Sequence, residues 1–226
     1  MNNTMLLFDD RVSEIEFYYS IMLDSENGSG KIQTIDNARF QRILKSNFLL
    51  MLYNLVEACV ISGLMEIYEN LKNSGSSYGD LIVEIRSIWS NHEIGKVYSN
   101  VAGRAVYEDR VKSIINHVIS SQPIILSREA IGISGNLDAR VIKKLCDKHR
   151  IRYVASDEDG CLKIVKDKRN NLAHGDESFG DCARDMTLTD LEHIKDGVVC
   201  FIRAILYGMK EYHDNKHYLL ASLEIN

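Results

Sequence analysis

The chain is expected to be all-α, a bundle of helices carrying a small α or α/β insert, and three observations support this. A single proline, Pro123, interrupts 226 residues, whereas a chain rich in turns and strands needs many breakers. Apolar residues recur at steps of three and four over most of the length, which is the period of a helix with one buried face. With 45% hydrophobic residues, the chain can bury a substantial core as one domain, 1–226, with the insert at about 122–159.

The first helix is expected over residues 10–23, with Val12, Ile15, Tyr19 and Met22 on one side. Its exit, DSENGSGK, reads as a polar loop. A second helix over 36–71 places Phe40, Ile43, Asn47, Met51, Asn54, Ala58, Ile61, Met65 and Tyr68 on one stripe. At 1.5 Å per residue it would be about 50 Å long, enough to be the spine of a bundle. Its most apolar window, 48–65, is interrupted by Asn54, Glu57 and Ser62, so a buried amphipathic helix is favoured over a membrane span. Leu81, Ile82, Ile85, Ile88 and Trp89 mark a third helix. Val111, Ile114, Ile115, Val118 and Ile119 mark a fourth, with 91–103 less regular between them.

The insert opens on Pro123-Ile124-Ile125-Leu126, read as a short extended piece. In SGNLDARVIKKL, Asn136 or Asp138 caps a short helix with Val141 and Leu145 on its inner face. The helix that follows contains KIVKDKRNNLAHG, with Leu162, Val165 and Leu172 as its apolar stripe and Gly175 as its C-cap. A last helix opens on Thr189-x-x-Glu192, a capping box, and continues through Leu191, Ile194, Val198, Ile202, Ile205 and Met209.

Chemistry is concentrated in RNNLAHG. Asn170 and His174 are four apart and share a helix face, while Arg169 lies about 100° round the axis from Asn170, so all three side chains can converge on one cleft. The ordinary reading of such residues is a helix end with its usual basic bias. Elsewhere, Asn47 and Asn54 on an apolar stripe read first as buried amides bonded to neighbouring helices. Glu57 is one step off that stripe, where it would be a partner for Arg169. Arg140, Lys143, Lys144, Lys148, Arg150 and Arg152 form a basic run broken by Asp147. It reads either as a solvated face or as a phosphate contact, which Lys163, Lys166 and Lys168 would extend towards Arg169. For SGNLDAR, a helix cap and a substrate-recognition element both remain open.

A net charge of -5 and a pI near 5.8 argue against coating nucleic acid by bulk electrostatics, so any polyanion contact must be local. Five cysteines, Cys59, Cys146, Cys161, Cys182 and Cys200, form no C-x-x-C pair and suit reduced thiols. The seven histidines show no metal-binding spacing, and no metal or cofactor is expected. The N-terminal residues lack a basic start and a long apolar run, which points to a cytoplasmic protein with no membrane association.

YNLVEACV, SGNLDARVIKKL, and VKDKRNNLAHG followed by TLTDLEHIKDGV together resemble the HEPN superfamily, and within it the MAE-type group of bacterial defence and toxin-antitoxin loci. The resemblance spans about residues 10–215. It implies a HEPN helical bundle, a homodimer through the motif helices, and a metal-independent endoribonuclease acting on RNA as a toxin or defence effector. Arg169, Asn170 and His174 are its implied catalytic set, with Glu57 and Asn54 as candidate support and Lys143, Lys144, Lys148, Arg150, Lys166 and Lys168 as candidate RNA contacts. An antitoxin or defence-system protein is an expected partner. Some relatives have a tyrosine two residues after the histidine; here that position is Asp176, which argues against regulation by modification of that tyrosine. The alternatives are a non-catalytic interaction or dimerisation module, and a nucleic-acid-binding regulator using the helix near 138–152.

Overall fold

Around one long helix, α2 (Asn37–Ser74), the other elements of the computed structural model are arranged as a bundle. Residues 1–26, 36–98, 104–133, 135–154 and 159–223 are described. In chain order the remaining helices are α1 (Asn2–Glu26), α3 (Val83–Tyr98), α4 (Arg104–Ile119), α5 (Arg128–Ile131), α6 (Ala139–His149), α7 (Asp159–His174) and α8 (Leu188–Asp214). Helices α1, α7 and α8 pack on α2, while α3, α5 and α6 form a second cluster that joins α7 and α2. Most of the 24–31 loop and part of the less regular 91–103 stretch fall outside the described residues; α3 itself continues to Tyr98.

Asp36 caps α2 by accepting a hydrogen bond from the Arg39 N–H, and Gly75, at φ 66°, ends it. Both are expected from the geometry of helix ends. The buried side of α2 differs from the expected stripe. Phe48, Leu49, Leu52, Tyr53, Leu55, Val56, Cys59, Val60, Leu64, Ile67, Tyr68 and Leu71 are buried, whereas Met51, Ala58, Ile61 and Met65 are only half-buried and Asn54 is exposed. A helix packed on several sides buries most of its circumference, so a single stripe is not a sufficient guide. By length and composition α2 resembles a membrane span, and much of its apolar window is buried inside the bundle.

Helix α1 starts earlier than residue 10 because Thr4 and Phe8 extend its buried face beyond Ile15, Tyr19 and Met22. The fourth helix forms where its apolar residues mark it; Ile114 and Val118 pack against the core, while Ile115 and Ile119 are exposed. At the insert, Pro123 to Leu126 pairs only briefly. The Ile124 N–H donates to the Ser76 carbonyl at 2.9 Å, and Ser77 and Pro123 form an isolated bridge. Pro123 has no N–H to extend the ladder, and among the described residues no longer strand forms, so the insert is helical.

Asp138, and not Asn136, caps α6 through the Val141 N–H at 2.9 Å. Helix α6 buries Ala139, Ile142, Leu145, Cys146 and His149; Leu145 is on the inner face as expected, but Val141 is half-buried at its edge. Ile124, Leu126, Ile131, Leu137 and Ile142 from the insert belong to the same buried cluster as the cores of α1, α2 and α8.

Helix α8 begins two residues before the expected capping box. Thr187 Oγ1 accepts from the Asp190 N–H at 3.1 Å, and Asp190 Oδ2 accepts from the Thr187 N–H at 2.8 Å. TLTDLE contains two overlapping Thr-x-x-acid patterns, and the first is used because Leu188 and Leu191 are then both buried.

Candidate active site

Cys161, Leu162 and Val165 are buried on α7 and hold it against its neighbours. The helix ends on Gly175, whose φ is 79°. Its N–H donates to the Leu172 carbonyl at 3.3 Å, and the Asp176 N–H donates to the Asn171 carbonyl at 2.8 Å. This paired closure is the Schellman arrangement, and the left-handed position it requires favours glycine. His174 is thereby the last helical residue. It is exposed, and no hydrogen bond to its ring is formed among the described residues.

One turn earlier, Arg169 and Asn170 are joined directly. Arg169 Nη1 donates to Asn170 Oδ1 at 2.9 Å. The guanidinium carbon lies 4.6 Å from the centroid of the Tyr53 ring, within cation–π range. Tyr53 is buried, and its hydroxyl donates to the Gly135 carbonyl and accepts from the Leu137 N–H at 3.2 Å. A methyl group built on Gly135, at φ 77°, would lie 3.6 Å from Arg169 Nη2, in ordinary van der Waals contact. The arginine therefore lies against Tyr53 of the spine helix, its neighbour Asn170 and Gly135 of the insert.

The same loop is tied to α7 a second time. Lys166 Nζ donates to Asp138 Oδ2 at 3.1 Å while Asp138 Oδ1 caps α6. Burial opposes ionisation of Asp138, but the Val141 N–H and the Lys166 ammonium outweigh it and hold the carboxyl below the usual carboxylate range. The hydrogen bond to Asp138 in turn raises the pKa of Lys166. Within SGNLDAR, whose Ser134 lies outside the described residues, Asp138 acts as the helix cap and Gly135 lies beside the motif arginine.

The other expected site residues are dispersed. Glu57 forms no ion pair with Arg169; it lines a separate cleft with Asn54, Arg11 and Arg128. Of the candidate phosphate contacts, Lys166 pairs with Asp138 and Asp167, and Lys168 pairs with Glu177 at 3.1 Å. Lys143 lies 5.9 Å from the Phe201 ring centroid. Lys144, Lys148 and Arg150 are exposed, with Lys148 donating to the Ala130 carbonyl at 3.4 Å. Asn47 is half-buried beside Tyr18. Sequence reasoning missed Tyr53 because nothing local to YNLVEACV distinguishes a tyrosine that supports an arginine from one that fills the core.

The bundle and its motif helix define a helical domain of the HEPN class. Residues 6–218 match the family model described as HEPN_MAE_28990/-like HEPN, and the chain belongs to that MAE-type HEPN family. HEPN domains are often ribonucleases, which associates the chain with nucleic-acid chemistry. No curated protein and no solved structure matches it.

Proposed function

We propose that the chain is a metal-independent endoribonuclease, a cytoplasmic toxin or defence effector that works as a homodimer through its α7 helices. The observation that carries this reading is the bonded Arg169–Asn170 pair one turn before an exposed His174 at a tightly closed helix end.

RNA carries its own nucleophile beside the scissile phosphodiester, so a protein need only align it in line and move protons. Histidine is the side-chain type suited to that transfer near neutral pH. His174 takes the proton from the 2′-hydroxyl, the 2′-oxygen bonds to phosphorus, and the bond from phosphorus to the 5′-oxygen breaks. The leaving oxygen takes a proton from a general acid, a role open to the second His174 of a dimer. Products are a 2′,3′-cyclic phosphate and a 5′-hydroxyl. One donor of Arg169 is engaged by Asn170, and the rest of its planar fork is available for the phosphoryl oxygens as charge grows on them. The Tyr53 ring beneath the guanidinium supports that orientation.

The test is cleavage of single-stranded RNA in EDTA by the wild type, Arg169→Ala and His174→Ala, with DNA of the same sequence as control. The wild type should cut RNA and leave DNA intact, and each substitution should reduce the rate by at least about a hundredfold. Activity that survives His174→Ala would refute the mechanism. Strand binding without cleavage by the wild type would favour a nucleic-acid-binding regulator, and neither binding nor cleavage would favour an interaction module.

A further inference from the structure

A cleft of about 430 Å³ opens between α1, α2 and α5, lined by Arg11, Asn54, Glu57, Ala58, Ile61, Ser62 and Arg128. Its volume lies within the usual range for small-molecule sites. The lining charges are two guanidinium groups and one carboxylate, a local excess of one positive charge on a chain whose net charge is -5. The arginines come from different elements, Arg11 from α1 and Arg128 from the first position of α5. Arg11 Nη1 is bound to Glu14 at 2.8 Å, which leaves its other donors; Arg128 forms no ion pair among the described residues.

Two of the three elements that line the cleft lead along the chain to residues beside the motif arginine. Asn54 directly follows Tyr53, whose ring supports Arg169, and Glu57 is about 6 Å further along the α2 axis from Tyr53 at 1.5 Å per residue. Arg128 opens the short segment that leads through Gly132 to Gly135 beside Arg169. Meanwhile Lys166 and Lys168, the cations nearest the motif in sequence, are occupied by Asp138 and Glu177.

We infer that this cleft is a phosphate subsite for single-stranded RNA, in which Arg11 and Arg128 hold backbone phosphates and so guide the strand towards Arg169 and His174. Paired guanidinium groups suit phosphate oxygens, which their donors engage in a planar fork. Asn54 supplies a neutral donor and acceptor beside them. Glu57 opposes anion binding and limits occupancy to strands that reach both arginines. The inference rests on the ribonuclease reading for what happens next to the bound strand, but the binding itself does not need cleavage.

The probe is a uniformly 2′-O-methylated single-stranded RNA, which lacks the cleavage nucleophile, titrated against the full chain over a range of salt concentrations. Arg11→Ala/Arg128→Ala should raise Kd at least about tenfold at about 50 mM salt and reduce the salt slope by about 1.4, or about 0.7 for each phosphate no longer neutralised. Arg11→Lys/Arg128→Lys should keep the wild-type slope, because charge number is retained. Glu57→Gln should bind at least about twofold tighter, a gain that misfolding would not produce. An unchanged Kd and slope in the alanine variant, or no tightening in Glu57→Gln, overturns the subsite. If the wild type binds with this arginine dependence but does not cut ordinary RNA, the subsite stands and the ribonuclease reading fails. If it cuts in a His174-dependent way while the alanine variant retains the wild-type KM, the subsite alone fails.

Discussion

The guanidinium of Arg169 lies over the ring of Tyr53, 4.6 Å from its centroid, and the hydroxyl of the same tyrosine binds the Gly135 to Leu137 backbone. One side chain on the spine helix therefore supports the motif arginine and anchors the insert loop. The ring does the first of these tasks and the hydroxyl the second, so substitutions can separate them.

Tyr53→Phe keeps the ring and removes the hydroxyl from its two backbone partners. It should lower unfolding stability by about 1–2 kcal/mol, the usual range for a buried hydrogen bond and the group it strands, and leave kcat on RNA within about threefold. Tyr53→Leu removes the ring as well, and a cation–π interaction of about 0.5–2 kcal/mol translates into a further fall of about 2- to 30-fold in kcat. Measuring kcat and KM for both variants checks this. Equal kcat losses in both would place the effect in the loop and not in the arginine.

His149, at the end of α6, is fully buried and makes the insert sensitive to acid. Its Nδ1–H donates to the Leu145 carbonyl at 2.7 Å, so in the neutral ring Nε2 accepts the Tyr68 hydroxyl, also at 2.7 Å. Burial pushes its pKa down to about 4 from 6.5. The unfolded chain then binds a proton between those two values that the folded chain does not, and stability falls as pH falls through the window. The full contribution is present above pH 6.5, and its loss by about pH 4 is on the order of 3 kcal/mol. Urea unfolding of the wild type and His149→Gln between pH 7 and pH 5 tests it. The variant should be less stable at pH 7 and show a flatter pH dependence; parallel curves would contradict the assignment.

The start of α8 separates the observed cap from the one expected from sequence. Thr187→Ala should cost about 1 kcal/mol because it removes the N-cap, whereas Thr189→Ala, at an exposed helical position, should cost less than about 0.5 kcal/mol. Thermal or urea unfolding of the two variants distinguishes them. A larger loss from Thr189→Ala would favour the later start.

These cases also separate what the sequence makes legible from what it does not. The helix class, the long spine and the motif helix closing on Gly175 follow from local spacing and glycine chemistry, and each is realised. The choice between Thr187 and Thr189 depends on which register buries Leu188, a tertiary matter. The apolar period of α2 supports several stripes, and only the neighbouring helices decide which of them is buried most deeply. Opposite charge suggests Glu57 as a partner for Arg169, but charge alone does not fix geometry. A ring contact from Tyr53 and a neighbouring glycine at 135 carry no comparable local signal.

The central claim is tested most directly by the chemical ends left on RNA cut by the wild-type chain in EDTA. The account predicts a 2′,3′-cyclic phosphate on one fragment, a 5′-hydroxyl on the other, and no such fragments from His174→Ala. Fragments with 3′-hydroxyl and 5′-phosphate ends, or cutting that appears only when a divalent ion is restored, would contradict it.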